Sequence, residues 1–145
     1  MICFSKLNLN INVHLLQHEL NDLLTGNQWM PHYSTTDYTG NWHVLPLRTP
    51  GGNSDNPFAD LLSHKHFENT ALLNNLPETS RFLEKFECEK LSVRLLNLHA
   101  GSVIKAHRDI ELAFEQGESR LHIPIFTNSE VEFFVAEDRV VMNEG

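Results

Sequence analysis

Lys90-Leu-Ser-Val-Arg-Leu-Leu-Asn-Leu98, followed after a turn by Val103-Ile-Lys-Ala106, is where the patterning of the chain changes. From Lys90 onward, apolar residues come in short runs with two-residue alternation and turn signals between them, as strands require. Strands are thus expected at residues 90–98, 103–106, 120–126, 131–136 and 139–142, the last two joined by a tight hairpin at Glu137-Asp138. Upstream of Lys90 the spacing is helical. Val13, Leu16, Leu20, Leu23 and Leu24 predict an amphipathic helix over residues 13–24, with Asn12 as N-cap and Gly26 just past its end. After a loop rich in Thr, Tyr and Asn, residues 42–47 read as a strand ending at Arg48, before the turn cluster Thr49-Pro50-Gly51-Gly52. Two short helices follow: one capped by Asn56 with Pro57 in its first position, the other after Pro77, burying Phe82, Leu83 and Phe86. Helices first and strands afterwards predict an α+β domain whose helices cover one face of a largely antiparallel sheet or barrel.

A length of 145 residues fits a single domain over 1–145, with residues 1–88 as mainly helical and loop support and 89–145 as the strands. No apolar run approaches the length of a membrane span, so a membrane partner is not expected. Lys and Arg total 11 against 19 Asp and Glu, and a net charge of -8 repels phosphate backbones, which argues against nucleic acid. The first ten residues carry Lys6 and lack an apolar core or cleavage site, so a cytoplasmic protein is expected. Cys3 and Cys88 form neither a disulfide framework nor a thiolate metal site, leaving imidazole and carboxylate as the metal donors, and His is abundant at nine.

His107-Arg108-Asp109 is the sharpest local feature. On extended backbone, residues two apart project to one side, so the imidazole and the carboxylate can converge on a cation. With one further His they would complete a 2-His-1-carboxylate triad, which leaves positions on iron for a cosubstrate and dioxygen. A plain hydrogen-bonded His-Asp pair has the same spacing. The HRD tripeptide also begins the catalytic loop of protein kinases, but Phe114 stands where that loop needs Asn, and no DFG or glycine-rich phosphate loop is present.

Alternation in Arg120-Leu-His-Ile-Pro-Ile125 puts Arg120 and His122 on one face and Leu121, Ile123 and Ile125 on the other. A guanidinium beside an imidazole suits a carboxylate, which Arg can grip with two parallel hydrogen bonds, although a solvated sheet face gives the same pattern. Arg94 shares a strand face with Leu96 and Leu98 and therefore needs an anionic partner or a place at the rim. That partner is a substrate carboxylate or an internal ion pair.

Three blocks in order, Tyr38-Thr-Gly-Asn-Trp-His-Val-Leu-Pro-Leu-Arg48, Val93 through Asp109, and Arg120-Leu-His-Ile-Pro-Ile-Phe-Thr-Asn128, resemble the aspartyl/asparaginyl β-hydroxylase family, which includes bacterial hydroxylases of free proline. The resemblance covers roughly Trp29 to the end. It implies an iron(II) and 2-oxoglutarate dependent dioxygenase on a double-stranded β-helix of jelly-roll type. Its substrate would be an amino acid or an aspartyl/asparaginyl-type residue in a peptide or protein. Position by position, His107 and Asp109 would be iron ligands, Arg120 and His122 would bind 2-oxoglutarate near its metal-chelating end, and Arg94 and Arg48 would help shape the substrate pocket. In the family a distal iron-binding His and an Arg for the far carboxylate lie in later strands. Here no His follows His122 and the last Arg is Arg139, so those C-terminal strands are expected to be missing, whether shortened, lost or supplied by another chain. Unpaired edges left that way would favour oligomerisation. The competing expectation is a non-catalytic β-helix module that binds a small anion or a protein partner through the same pocket.

Overall fold

A computed structural model of the chain describes residues 4–59, 63–109 and 117–145. Its elements are β1 (Met30–Pro31), β2 (Tyr38–Thr39), β3 (Trp42–Pro50), β4 (Phe67–Asn69), β5 (Val93–Leu98), β6 (Val103–Ile104), β7 (Phe134–Val135) and β8 (Asp138–Arg139), with helices α1 (Val13–Leu20), α2 (Ala71–Asn74) and α3 (Pro77–Leu83). All pairing is antiparallel. The mixture of helix and antiparallel sheet expected from the sequence is present, and the described strands form no closed barrel.

The central strand is β3. His43 pairs with both Pro31 and Asn97, and Arg48 pairs with both Asn69 and Val93, so β5 runs along one edge while β1 and β4 share the other. Pro46 inside this central strand is tolerated because the ladder shifts register between Pro46 and Arg48, where a bulge absorbs the missing donor, and Pro50 is the strand's last residue. Between β1 and β4 the carbonyls of Pro46 and Leu47 are met by the buried Thr70, whose hydroxyl donates to them at 3.1 and 3.2 Å. The same hydroxyl accepts from Leu73 N at 3.4 Å and caps α2.

One face of β3 and β5 meets the helices. Leu20, Leu47, Leu73 and Leu76 form the buried core, with Val93, Leu95, Leu83 and Ile125 packed against it. The α3 N-terminus has no cap of its own; instead the Glu19 carboxylate of α1 accepts from Glu78 N, Thr79 N and Thr79 Oγ1 at 2.6 to 2.8 Å, locking the two helices together. The opposite face carries Trp42, Val44, Arg94, Leu96 and Leu98 by register.

Several expected boundaries shift. The helix over 13–24 ends at Leu20 and tightens into a 3-10 turn, Asn21–Leu23, and Asn12 makes no side-chain cap bond. The strand from Trp42 continues through Thr49 and Pro50, so only Gly51-Gly52 makes the turn. Asn56 Oδ1 accepts from Phe58 N at 3.0 Å, as a cap would, but residues 57–59 and 63–66 are not helical; the rest of the helix expected there lies outside the described residues. The strand expected at 120–126 has no ladder partner among the described residues. It is tethered instead by Gln17 Nε2 donating to Ile125 O at 2.7 Å and Gly145 N donating to Pro124 O at 3.1 Å. The C-terminal hairpin forms, but its turn is Ala136-Glu137, with Asp138 already paired to Val135. Ala136 takes φ +55, a conformation glycine would normally signal, and no glycine marks it here. The last strand stops at Arg139 rather than 142. No helix among the described residues is long and apolar enough to cross a membrane.

Candidate functional site

His107 owes its position to the small sheet of β2 and β6. Tyr38 pairs with Ile104 and Thr39 with Val103; beyond the ladder, Lys105 N donates to Asp37 O at 2.7 Å and Lys105 Nζ to Thr36 O at 2.8 Å. This anchors the extended segment that ends in His107-Arg108-Asp109. A carbonyl can only accept, so the 2.8 Å contact between His107 Nδ1 and Lys105 O assigns the proton to Nδ1 and leaves a lone pair on Nε2 in the neutral ring. That nitrogen faces Asp109 Oδ1 at 3.9 Å. The two side chains point toward one another, as the two-residue spacing requires. A carbonyl fixing the far nitrogen of a histidine is also the usual support of a metal-binding imidazole.

Arg120 Nη1 reaches Asp109 Oδ2 at 2.6 Å, so the segment after Gly117 closes on the HRD segment. Arg94 projects from β5 on the same face and donates to Pro57 O at 3.4 Å. Burial holds its guanidinium below the ordinary value, with Tyr33 opposing and Arg120 adding to the effect. His122 packs its ring 5.3 Å from Phe133 of the C-terminal hairpin. The protein atoms around it, and then Arg120, push its imidazole below the usual range although part of the residue stays open to solvent; Asp109 works in the other direction. Of the six residues singled out by sequence, five therefore share one electrostatic environment: Arg94, His107, Asp109, Arg120 and His122.

Arg48 is placed elsewhere. The bulge at Leu47 turns the residues that follow, and Arg48 lands on the helical side, with Nε donating to Lys90 O at 2.8 Å and Nη1 to Asn69 Oδ1 at 2.9 Å. A cleft on that side is lined by Arg48, Asn69, Ser80, Glu84 and Lys90 and contains none of the other five.

Sequence reasoning passed over His32, which the fold brings to the same cluster. Its N–H bonds to Trp42 O at 2.8 Å, extending the β1–β3 pairing by one residue. The ring is sandwiched between Trp42, 3.4 Å away and nearly parallel, and Tyr33 at 4.5 Å, with Tyr38 set edge-on. Ser34 N donates to Nδ1 at 3.3 Å, so the neutral ring carries its proton on Nε2. Only 4% of the residue is exposed. Burial, then Arg94 and Arg120, pull its pKa down to about 4, against Asp37. The available sequence signal was the aromatic density of residues 29–42, which shows only once those rings stack.

The sequence model of the family described as aspartyl/asparaginyl beta-hydroxylase matches residues 10–145. The chain belongs to the aspartyl/asparaginyl β-hydroxylase family. Hydroxylation is thus the general activity that this membership supports. No curated protein and no solved structure matches the chain. Within this chain, His107 and Asp109 are donors of the right kind for a divalent ion, an imidazole lone pair and a carboxylate oxygen. No group of three His, Cys, Asp or Glu suited to a metal occurs among the described residues, so these supply two positions.

Proposed function

We propose that this chain is an iron(II) and 2-oxoglutarate dependent hydroxylase of an amino acid or of an aspartyl/asparaginyl-type residue in a peptide, its sheets being part of a double-stranded β-helix. The observation that carries the reading is the His107 Nε2 lone pair aimed at Asp109 with its far nitrogen fixed by Lys105 O. His107 and Asp109 would hold the iron, and the bound iron with its 2-oxo acid would supply activated oxygen for insertion into a substrate C–H bond. The Arg120 guanidinium, beside Asp109, offers its remaining donors to the carboxylate of the 2-oxo acid. His122 is held neutral and offers one N–H rather than a charge. Arg94 contributes a second fixed positive charge from β5, and His32 a neutral N–H from within the aromatic stack. Two guanidiniums and two neutral imidazoles form a dianion cradle, which fits a dicarboxylate cosubstrate better than a neutral one. Arg48 has no part in it.

Iron(II) titrated anaerobically with and without 2-oxoglutarate, together with succinate release over a panel of amino acids and peptides, tests the reading. His107→Ala is expected to abolish both uptake and release. Uptake unchanged in His107→Ala overturns it. One observation favours a second reading, a module that binds a small anion without turnover: only two ligands are present among the described residues. Binding of 2-oxoglutarate that needs no iron would establish that alternative.

A further inference from the structure

A second pair of imidazoles lies away from this cluster. His43, in β3, and His99, just past the end of β5, bring Nδ1 and Nε2 within 3.1 Å, with ring centroids 4.9 Å apart. His43 pairs through Asn97 on the face opposite Trp42, Val44 and Arg94, so the pair shares no side chain with the dianion cradle.

We propose that His43 and His99 form a separate binding site for a divalent transition-metal ion of the zinc(II) class, held by both imidazoles and completed by water. Two imidazole nitrogens bound to one zinc at about 2.0–2.1 Å in tetrahedral geometry lie about 3.3–3.4 Å apart, so a shift of a few tenths of an ångström converts this contact into a chelate. The backbone holds both residues in place. His43 sits in the strand paired on both edges. His99 N donates to Asn41 O at 3.0 Å, Ser102 N donates to His99 O at 3.0 Å, and Ser102 Oγ accepts from Asn41 N at 2.8 Å. Chelation therefore requires little ordering of the chain. Neither ring is paired with a carboxylate among the described residues, so no acidic side chain competes for either nitrogen. Without metal, one ring must donate its proton to the other. When the ion binds, that proton moves to the far nitrogen of its own ring, both facing lone pairs go to the metal, and no net charge is lost from the protein. Imidazole and water are donors suited to zinc, nickel and copper rather than to magnesium or calcium. The ion would clamp β3 to the turn between β5 and β6, the same turn that leads to His107.

The test is zinc(II) titration by calorimetry of the full chain and of H43A, H99A, D109N and H18A, the last because His14 and His18 lie one turn apart on α1. Copper(II) electron paramagnetic resonance on the same proteins counts the bound nitrogens. The expected result is a zinc event that D109N and H18A retain and that H43A and H99A each weaken tenfold or more. Loss of a direct ligand should cost at least as much as loss of a ligand's hydrogen-bond support, itself worth about 10–100-fold. The copper spectrum should show two nitrogens, falling to one in either single variant. The conservative variants H43N and H99Q, checked for an unchanged melting temperature, replace the alanine variants if those unfold. Because His107 and Asp109 would also take zinc, the deciding titrations are made in the D109N background: a zinc event there that survives H43A and H99A, or that H18A removes, overturns the proposal without touching the hydroxylase reading.

Discussion

Asp109→Asn separates a functional carboxylate from a structural one. The substitution keeps shape and removes the charge facing Arg120 Nη1 at 2.6 Å. A buried ion pair that loses one partner costs about 3–5 kcal/mol, because the other charge is stranded without water. Here the Arg120 and Asp109 side chains are 33% and 38% exposed, so water solvates each and salt screens the attraction. The measured range for such pairs is about 0–1 kcal/mol, and Asn still offers an oxygen to the guanidinium. The expected loss is therefore about 1 kcal/mol or less in urea unfolding at low salt, shrinking further at high salt. Iron(II) uptake, by contrast, should disappear, since the amide oxygen is a poor replacement for an anionic ligand. A destabilisation of about 3 kcal/mol or more that persists at high salt would refute this reasoning and make the pair a strut of the fold. So would unaltered iron uptake in a normally stable variant.

Glu19→Ala should cost about 2–3 kcal/mol in the same unfolding assay, since it strands two backbone N–H groups at the uncapped start of α3, and Glu19→Gln should cost less; equal stability of all three proteins would remove Glu19 as the surrogate cap. Below pH 6.5 the unfolded chain takes up a proton that native His32 refuses until about pH 4, so stability falls with decreasing pH across that window by on the order of 3 kcal/mol. His32→Phe keeps the stack without the titration and should flatten the stability profile between those limits; profiles that run parallel would contradict it.

How far the chain could be read from its letters depended on element length. α1, α3, β3 and β5 carry enough residues to display a period, and each is present near its expected place, whereas the two-residue strands of the C-terminal hairpin were legible from the turn between two apolar runs. The two-residue strands β1 and β2 and the four-residue α2 cannot display one, and they form because β3, β6 and Thr70 offer partners. Alternation at 120–126 carries no information about a neighbouring strand, and none pairs with that segment among the described residues. In the site, the convergence of His107 with Asp109 was legible because it depends on local geometry alone. Arg48 lies apart from the other five because the bulge at Leu47 turns it to the helical side, a shift no alternation rule anticipates. His32 was passed over because the charges that mark it, Arg94 and Arg120, are distant in sequence, and its nearby rings Tyr33, Tyr38 and Trp42 show their role only when stacked.

The unequal support of the strands has a dynamic consequence. β3 is bonded on both edges, so its amides should be among the last to exchange with deuterated solvent, at a rate set by global unfolding. The segment carrying His107 and Asp109 hangs from the two-residue ladder of β6, and among the described residues the backbone of that carrying Arg120 and His122 is bonded only near its far end, at Pro124 and Ile125. Their amides should label by brief local openings, faster than the strand beside them. A ligand gripping all four side chains would draw both segments toward the slow class, making protection at residues 105–109 and 120–123 a gauge of occupancy that needs no turnover.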